Sequence, residues 1–328
     1  MNRKSVRMFD LFCGAGGSSR GAVMAGAMPV AALDMWKLAT DTYKLNFPDA
    51  IVYRMKASSL SQSRLIEEVG EIDLLLASPE CTSHSVAKGN KERFEESKAT
   101  AFQVIRYAKA LRPRWIVVEN VLQMQGWHRF DEWYQKLKTL GYKLKMGILD
   151  AQYYGTPQSR RRFFVVGDLK VDPSLPKPGR RTEKTVTSIL GHGEPKHKGW
   201  GFSPLNIPGR AAPTIERAQR AIKHLGKGVP FIMVYYGTDG AGGFQTLDRP
   251  LRTVTTVDRF AYMRLNGSGY EMRMLQPPEL AAAMGIPDYH VWPESTRRAR
   301  INLIGNAVCP SVMRAVVEAL LERSYAKD

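Results

Sequence analysis

Over its first half the chain alternates short apolar runs with amphipathic ones, and this rhythm limits the fold more than any other feature. Segments 6–12, 30–34, 51–54, 72–77, 115–119, 143–149 and 162–167 read as strands. Segments 18–27, 38–46, 61–69, 97–111 and 130–140 read as helices between them. Strand–helix alternation predicts crossover connections and a doubly wound, mostly parallel α/β sheet. From about Leu169 the pattern breaks: Pro173, Pro176, Pro178, Pro195, Pro204, Pro208 and Pro213 interrupt any regular element. Helical signals return at 278–284 and 311–323. The organisation expected is a larger domain, 1–167 with 271–328, and a smaller loop-rich domain, 168–270.

Charge narrows the partners. Lys and Arg number 48 against 31 acids, a net charge of +17, with Arg160-Arg161-Arg162, Arg180-Arg181 and the stretch 217–227 the densest clusters. An excess of this size points to a polyanion, most simply nucleic acid. Arg217 and Arg220, with Lys223 and Lys227, fall on a helix-like stretch, placed either to touch phosphates or to form a solvated face. No apolar run approaches the roughly 20 residues of a membrane helix, so no membrane partner is expected. Three cysteines, Cys13, Cys81 and Cys309, suit a reducing, cytoplasmic setting and are too scattered for a metal site.

Two acids and a thiol stand at strand ends. Ligands of open α/β sheets bind beyond the carboxyl ends of their strands. Phe9-Asp10-Leu11-Phe12-Cys13-Gly14-Ala15-Gly16-Gly17 carries a strand into a glycine-rich turn and a helix, and Asp34 ends the next strand. Glycine allows the tight turn, the helix N-terminus offers free N–H groups, and an acid there can hydrogen-bond a ribose hydroxyl. These features fit an adenosine-bearing cofactor, either NAD or S-adenosylmethionine. Cys81 follows the apolar run 72–79, and Glu119 ends the run Trp115-Ile116-Val117-Val118 one crossover later. Alone, Cys81 reads as a buried core thiol; with Glu119 on the same sheet edge it becomes a candidate nucleophile.

With these pieces in place the chain resembles the DNA cytosine-C5 methyltransferases along nearly its whole length. Asp10 to Gly17 resembles the family's first motif. Cys81 stands at the nucleophile, Glu119-Asn120-Val121 at the Glu-Asn-Val triplet, and Gln158-Ser159-Arg160-Arg161-Arg162 at Gln-x-Arg-x-Arg. Arg273 to Glu279 with Met284-Gly285-Ile286-Pro287, and Gly305-Asn306-Ala307-Val308, match the last two motifs. The resemblance implies a Rossmann-like class I methyltransferase domain with a target-recognition domain, S-adenosylmethionine as cofactor, double-stranded DNA as partner, and a monomeric, prokaryotic or phage-encoded protein. It implies catalytic roles for Cys81, Glu119, Arg160 and Arg162. It implies cofactor contacts at Phe12, Gly14, Gly16, Gly17, Asp34, Met35, Pro79, Asn306 and Ala307, and DNA contacts at Ser85, Gln158, Arg252 and Thr253. Three features depart from the family pattern. Glu80 precedes the nucleophile where proline is usual, Thr82 and His84 stand for Gln and Phe, and no adenine-contact acid is evident at 56–59. A catalytically silent DNA-binding relative and an RNA cytosine methyltransferase are the alternatives.

The residue types suit the reaction. A thiolate attacking C6 of cytosine makes C5 nucleophilic, a carboxylic acid at N3 stabilises the charge that builds there, and an arginine fork can hold O2. The target atoms are inaccessible in a stacked duplex, so the base must be flipped.

Overall fold

The computed structural model describes residues 5–79, 91–194, 200–236, 242–267 and 269–325. Seven strands form the larger sheet: β1 (Val6–Leu11), β2 (Ala27–Asp34), β3 (Ile51–Arg54), β4 (Leu74–Ala77), β5 (Trp115–Asn120), β6 (Lys143–Asp150) and β7 (Arg161–Asp168). They lie in the order β3-β2-β1-β4-β5-β7-β6. The first five are mutually parallel, while β7 runs antiparallel to both β5 and β6. The doubly wound sheet expected from the strand–helix alternation is thus present, with β7 alone running against the other six strands. All four residues of β4 are buried, as a strand covered on both faces requires.

Helices cover each face. On one, α3 (Gln62–Val69), α4 (Lys91–Leu111) and α5 (Phe130–Thr139) bury Leu65, Val104, Tyr107, Trp133 and Leu137 against Phe9, Leu11, Ile116 and Val118. On the other lie α1 (Gly17–Met24) and α2 (Lys37–Asn46), joined by the C-terminal α7 (Pro277–Ala283), α8 (Arg297–Asn306) and α9 (Pro310–Tyr325). The sequence pattern does not reveal α8. Its apolar residues are few beside Arg297, Arg298, Arg300 and two asparagines, and it is anchored instead by Thr296, whose hydroxyl accepts the Ala299 N–H, and by buried Ile301, Leu303 and Ile304.

The middle of the chain, expected to be loop-rich, forms a second, antiparallel sheet in the order β10-β9-β11-β12-β8. Its strands are β8 (Ser203–Pro204), β9 (Phe231–Val234), β10 (Phe244–Thr246), β11 (Phe260–Asn266) and β12 (Gly269–Met274). They are short and, apart from β11 and β12, separated by long connections, which hides their period in the sequence. Helix α6 (Ala212–Leu225) closes one face through Ala218 and Ala221 against Phe231, Met233, Ala261 and Met263. Ile232, Val234 and Phe260 on the opposite face join the core beneath the C-terminal helices. The 270/271 boundary expected between domains falls inside β12, so this sheet runs on to Met274.

Helices α1 and α9 meet through glycine. A Cβ on Gly17 would lie 2.3 Å from the Val308 carbonyl oxygen, and one on Gly21 would lie 2.3 Å from that of Pro310 and 2.7 Å from Met313 Cβ. Glycine to alanine in a helix ordinarily stabilises by about 1 kcal/mol. Here the sign reverses, because backbone must move: Gly21→Ala should lower stability by about 1–3 kcal/mol, read as a lower urea midpoint at unchanged slope.

Candidate active site

Three strand ends meet at one edge. In register, Leu11 pairs with Ala77 and Ala77 with Val118, so the turn after β1, the segment Ser78-Pro79 and the pair Glu119-Asn120 emerge side by side. Ser78 N–H donates to the Leu11 carbonyl at 3.2 Å, which ties the first two together.

The turn after β1 is tightly built. Phe12 adopts a positive φ of 65°, a conformation rare outside glycine. Its N–H and that of Cys13 both donate to the Leu33 carbonyl, at 2.8 and 3.0 Å. Asp34 reaches back across the turn. One carboxylate oxygen accepts the Gly14 N–H at 3.0 Å and the other accepts the Trp36 N–H at 2.9 Å. Gly16 caps α1 without a side-chain acceptor, so among the described residues no N-cap side chain takes up the first N–H groups of that helix. Among the described residues, nothing beyond its chain neighbours lies within 4 Å of where a Gly14 Cβ would stand, so the turn opens outward. Met35 is 62% exposed beside it, and Asn306 is exposed at the end of α8. Beneath the turn Asp10 is fully buried; one of its oxygens accepts the Ser19 hydroxyl at 2.6 Å, and that hydroxyl also meets the Tyr43 hydroxyl.

Glu119 is buried, and its carboxylate faces the Arg162 Nε at 3.2 Å. Burial raises its pKa; the charges of Arg162 and Arg160 and the Ser78 hydroxyl pull it back down. Such a carboxyl holds a proton more readily than a solvated glutamate while remaining next to a cation. Asn120, absent from the sequence-based set of site residues, donates from its Nδ2 to the Pro79 carbonyl at 2.9 Å and accepts the Val121 N–H at 2.8 Å. It therefore anchors the chain two residues before Cys81. The Glu-Asn-Val triplet was the signal that could have found it. Cys81 itself, with Glu80 and Ser85, lies outside the described residues.

Other expected contacts are placed elsewhere. Arg160, whose charge still acts on Glu119, makes its hydrogen bonds elsewhere: it precedes β7, is buried, and gives its terminal nitrogens to the carbonyls of Val254, Gly305 and Ala307. Gln158 is fully buried, its amide engaged by Val254 N–H, the Ala283 carbonyl and Met284 Sδ, so it has no free group for DNA. The Thr253 hydroxyl donates to the Ser159 carbonyl, and Arg252 reaches the Phe244 carbonyl at 3.0 Å, both half-buried. On α6, Arg220 is exposed whereas Arg217 is half-buried with its guanidinium 5.1 Å from the centre of the Tyr235 ring.

Residues 6–322 match the description of the C-5 cytosine-specific DNA methylases. The chain belongs to that family. Among relatives, the methylase is 26% identical over 342 residues to the type II methyltransferase M1.HphI of Haemophilus parahaemolyticus, covering 97% of this chain and 87% of that one. It is 26% identical to M.NlaX of Neisseria lactamica, covering 96% of each. Of solved structures, Spodoptera frugiperda DNMT2 superposes with a TM-score of 0.71 at 16% identity, over 97% of this chain and 100% of that one. The Entamoeba histolytica methyltransferase EhMeth does so with a TM-score of 0.71 at 17% identity, over 98% and 99%. These likenesses establish the fold. The cofactor of the methylase family is S-adenosylmethionine. The open glycine turn, the side-chain-uncapped α1 terminus and the Asp34 carboxylate form a cradle that fits it.

The methylase cradle carries a proton of its own. Burial pushes the Asp10 carboxyl up to about 7, against 3.8 when solvated. The folded state then keeps a proton that the unfolded chain has lost, so this group's contribution to stability is complete below pH 4 and declines as pH rises through 7. Comparing wild type with Asp10→Asn, the wild-type Tm should fall relative to the variant's between pH 5 and pH 8. Parallel curves would exclude the assignment.

Proposed function

We propose that the protein methylates C5 of a flipped cytosine in duplex DNA, through a covalent adduct between Cys81 and cytosine C6. The observation that carries the reading is the buried Glu119 paired with half-buried Arg162, set at the same sheet edge as the tether from Asn120 to Pro79.

Each side chain has a distinct task in this reading. The Cys81 thiolate donates an electron pair to C6, and the electrons displaced from the ring collect toward N3. Glu119, its pKa raised by burial, hydrogen-bonds N3 and shares its proton there as the charge builds. Arg162 holds Glu119 in place and offers its remaining donors to O2 of the base. Asn120 fixes the approach of the nucleophile segment through the Pro79 carbonyl. Asp34, Gly14, Gly16, Gly17, Phe12 and Met35 hold the cofactor's nucleoside and amino-acid ends, with Asn306 and Ala307 closing the pocket. S-adenosylmethionine supplies an electrophilic methyl group on a sulfonium. Once C5 has bonded the methyl group, transfer of its proton to solvent water and departure of the thiolate from C6 restore the aromatic ring and free Cys81.

The small antiparallel sheet is the DNA reader in this proposal. Arg220 and Lys223 on α6 offer an exposed basic face to phosphates, and Arg217 flanks it. Arg252 and Thr253, both half-buried, contribute to shaping that sheet's entry.

Bisulfite sequencing of DNA from cells expressing the protein tests the activity and its sequence context together. Wild type should leave protected cytosines in one recurring context, and Cys81→Ala none. Glu119→Gln should lower kcat by about 10²–10⁴-fold, measured as transfer of labelled methyl to DNA. Retained 5-methylcytosine formation by Cys81→Ala, or transfer to RNA in place of DNA, would overturn the proposal.

A further inference from the structure

The guanidinium of Arg160 has a task that catalysis does not explain. It is 3% exposed, and its hydrogen-bond partners are backbone carbonyls: Val254 at 2.8 Å from Nη1, Gly305 and Ala307 at 2.8 and 3.1 Å from Nη2. These carbonyls come from two segments distant in sequence. Val254 lies on the connection that leads into β11 of the small sheet, and Gly305 and Ala307 flank Asn306 at the end of α8. A helix C-terminus leaves carbonyls without partners, and a cation there satisfies them.

Two further contacts remove slack from the junction. Gln158 Oε1 accepts the Val254 N–H at 2.9 Å, so residues 158 and 160 grip both peptide groups of one residue. From the other side, a Cβ on Gly305 would lie 2.3 Å from the Thr255 carbonyl oxygen and 2.6 Å from the Thr256 nitrogen. The turn bearing Asn306 and the connection to the small sheet therefore touch backbone to backbone. Arginine is the side chain that can span them: its planar fork reaches carbonyls of both segments at once, whereas one ammonium cannot.

We propose that Arg160 is a positioning residue that couples the turn 305–307, on the cofactor side, to the connection 254–256, on the DNA-reading side, so that a ligand bound at one alters affinity at the other. The proposal rests on the functional reading above, in which the cofactor meets Asn306 and DNA engages the small sheet. Burial lowers the pKa of the guanidinium to about 10, which leaves it charged at neutral pH and dependent on those carbonyls.

The test titrates S-adenosylhomocysteine calorimetrically into the intact protein, with and without saturating sheared genomic DNA from a methylation-deficient bacterium. In wild type the DNA should tighten S-adenosylhomocysteine by about fivefold or more. Arg160→Lys should bring that factor to within about twofold of unity while changing the affinity without DNA by less than about twofold. Gly305→Ala breaks the same junction from its other side and should show the same loss, with no further loss in the double variant; it carries the test if Arg160→Lys fails to fold. Linkage absent in wild type, linkage kept in the variants, or binding lost in the absence of DNA would each overturn the inference. A wild-type protein that binds no S-adenosylhomocysteine at all would instead overturn the methyltransferase reading on which it stands.

Discussion

The parallel register of β1, β4 and β5 is the constraint on which the rest depends. Because Leu11, Ala77 and Val118 pair in line, three chain segments leave the sheet at one edge and in one direction. Parallel pairing demands a crossover between each strand and the next, so the two faces must be covered by helices. The two apolar cores, one beneath α3–α5 and the other beneath the C-terminal helices, hold that register. A slip of one residue would exchange every inward and outward side chain and send Glu119 to the opposite face.

The electrostatics of the site follow from where the parallel pattern stops. Strand β7 runs antiparallel to β5, and this reversal brings the start of β7 to the carboxyl edge, where Arg162 meets Glu119. A buried carboxylate alone would take up a proton; a nearby cation offsets part of that cost without removing it. The result is a carboxyl whose pKa lies above that of a solvated glutamate although a cation stands beside it. Arg160, two residues earlier and before the strand begins, points into a different environment and serves the frame.

Much of the larger domain was legible because its signals are local. The apolar run Leu74-Leu75-Leu76-Ala77, bounded by turn residues and alternating with helical stretches, marks a strand buried on both faces, and Cys13-Gly14-Ala15-Gly16-Gly17 is a turn into a helix by the conformational freedom of glycine. The small sheet was not legible: its strands are two to seven residues long, and pairing between distant segments, such as Ile232 opposite Tyr262, has no local period. Helix α8 escaped for a related reason, since its apolar residues make sense only against the core they enter.

The sequence by itself determined the order of chemistry-bearing groups along the chain: a glycine turn, an acid at Asp34, the thiol of Cys81, the Glu119 triplet and the Gln158–Arg162 run. Residue type and spacing carry that information because covalent chemistry and backbone conformation are local properties. Only the tertiary structure decided which members of each motif share a pocket. The sequence motif gives Arg160 and Arg162 the same role and Gln158 a contact with DNA, yet folding hydrogen-bonds Gln158 and Arg160 to Val254 and pairs Arg162 with Glu119. That division arises because hydrogen-bond partners for a buried polar group come from segments about a hundred residues away, and no local pattern records where those segments will lie.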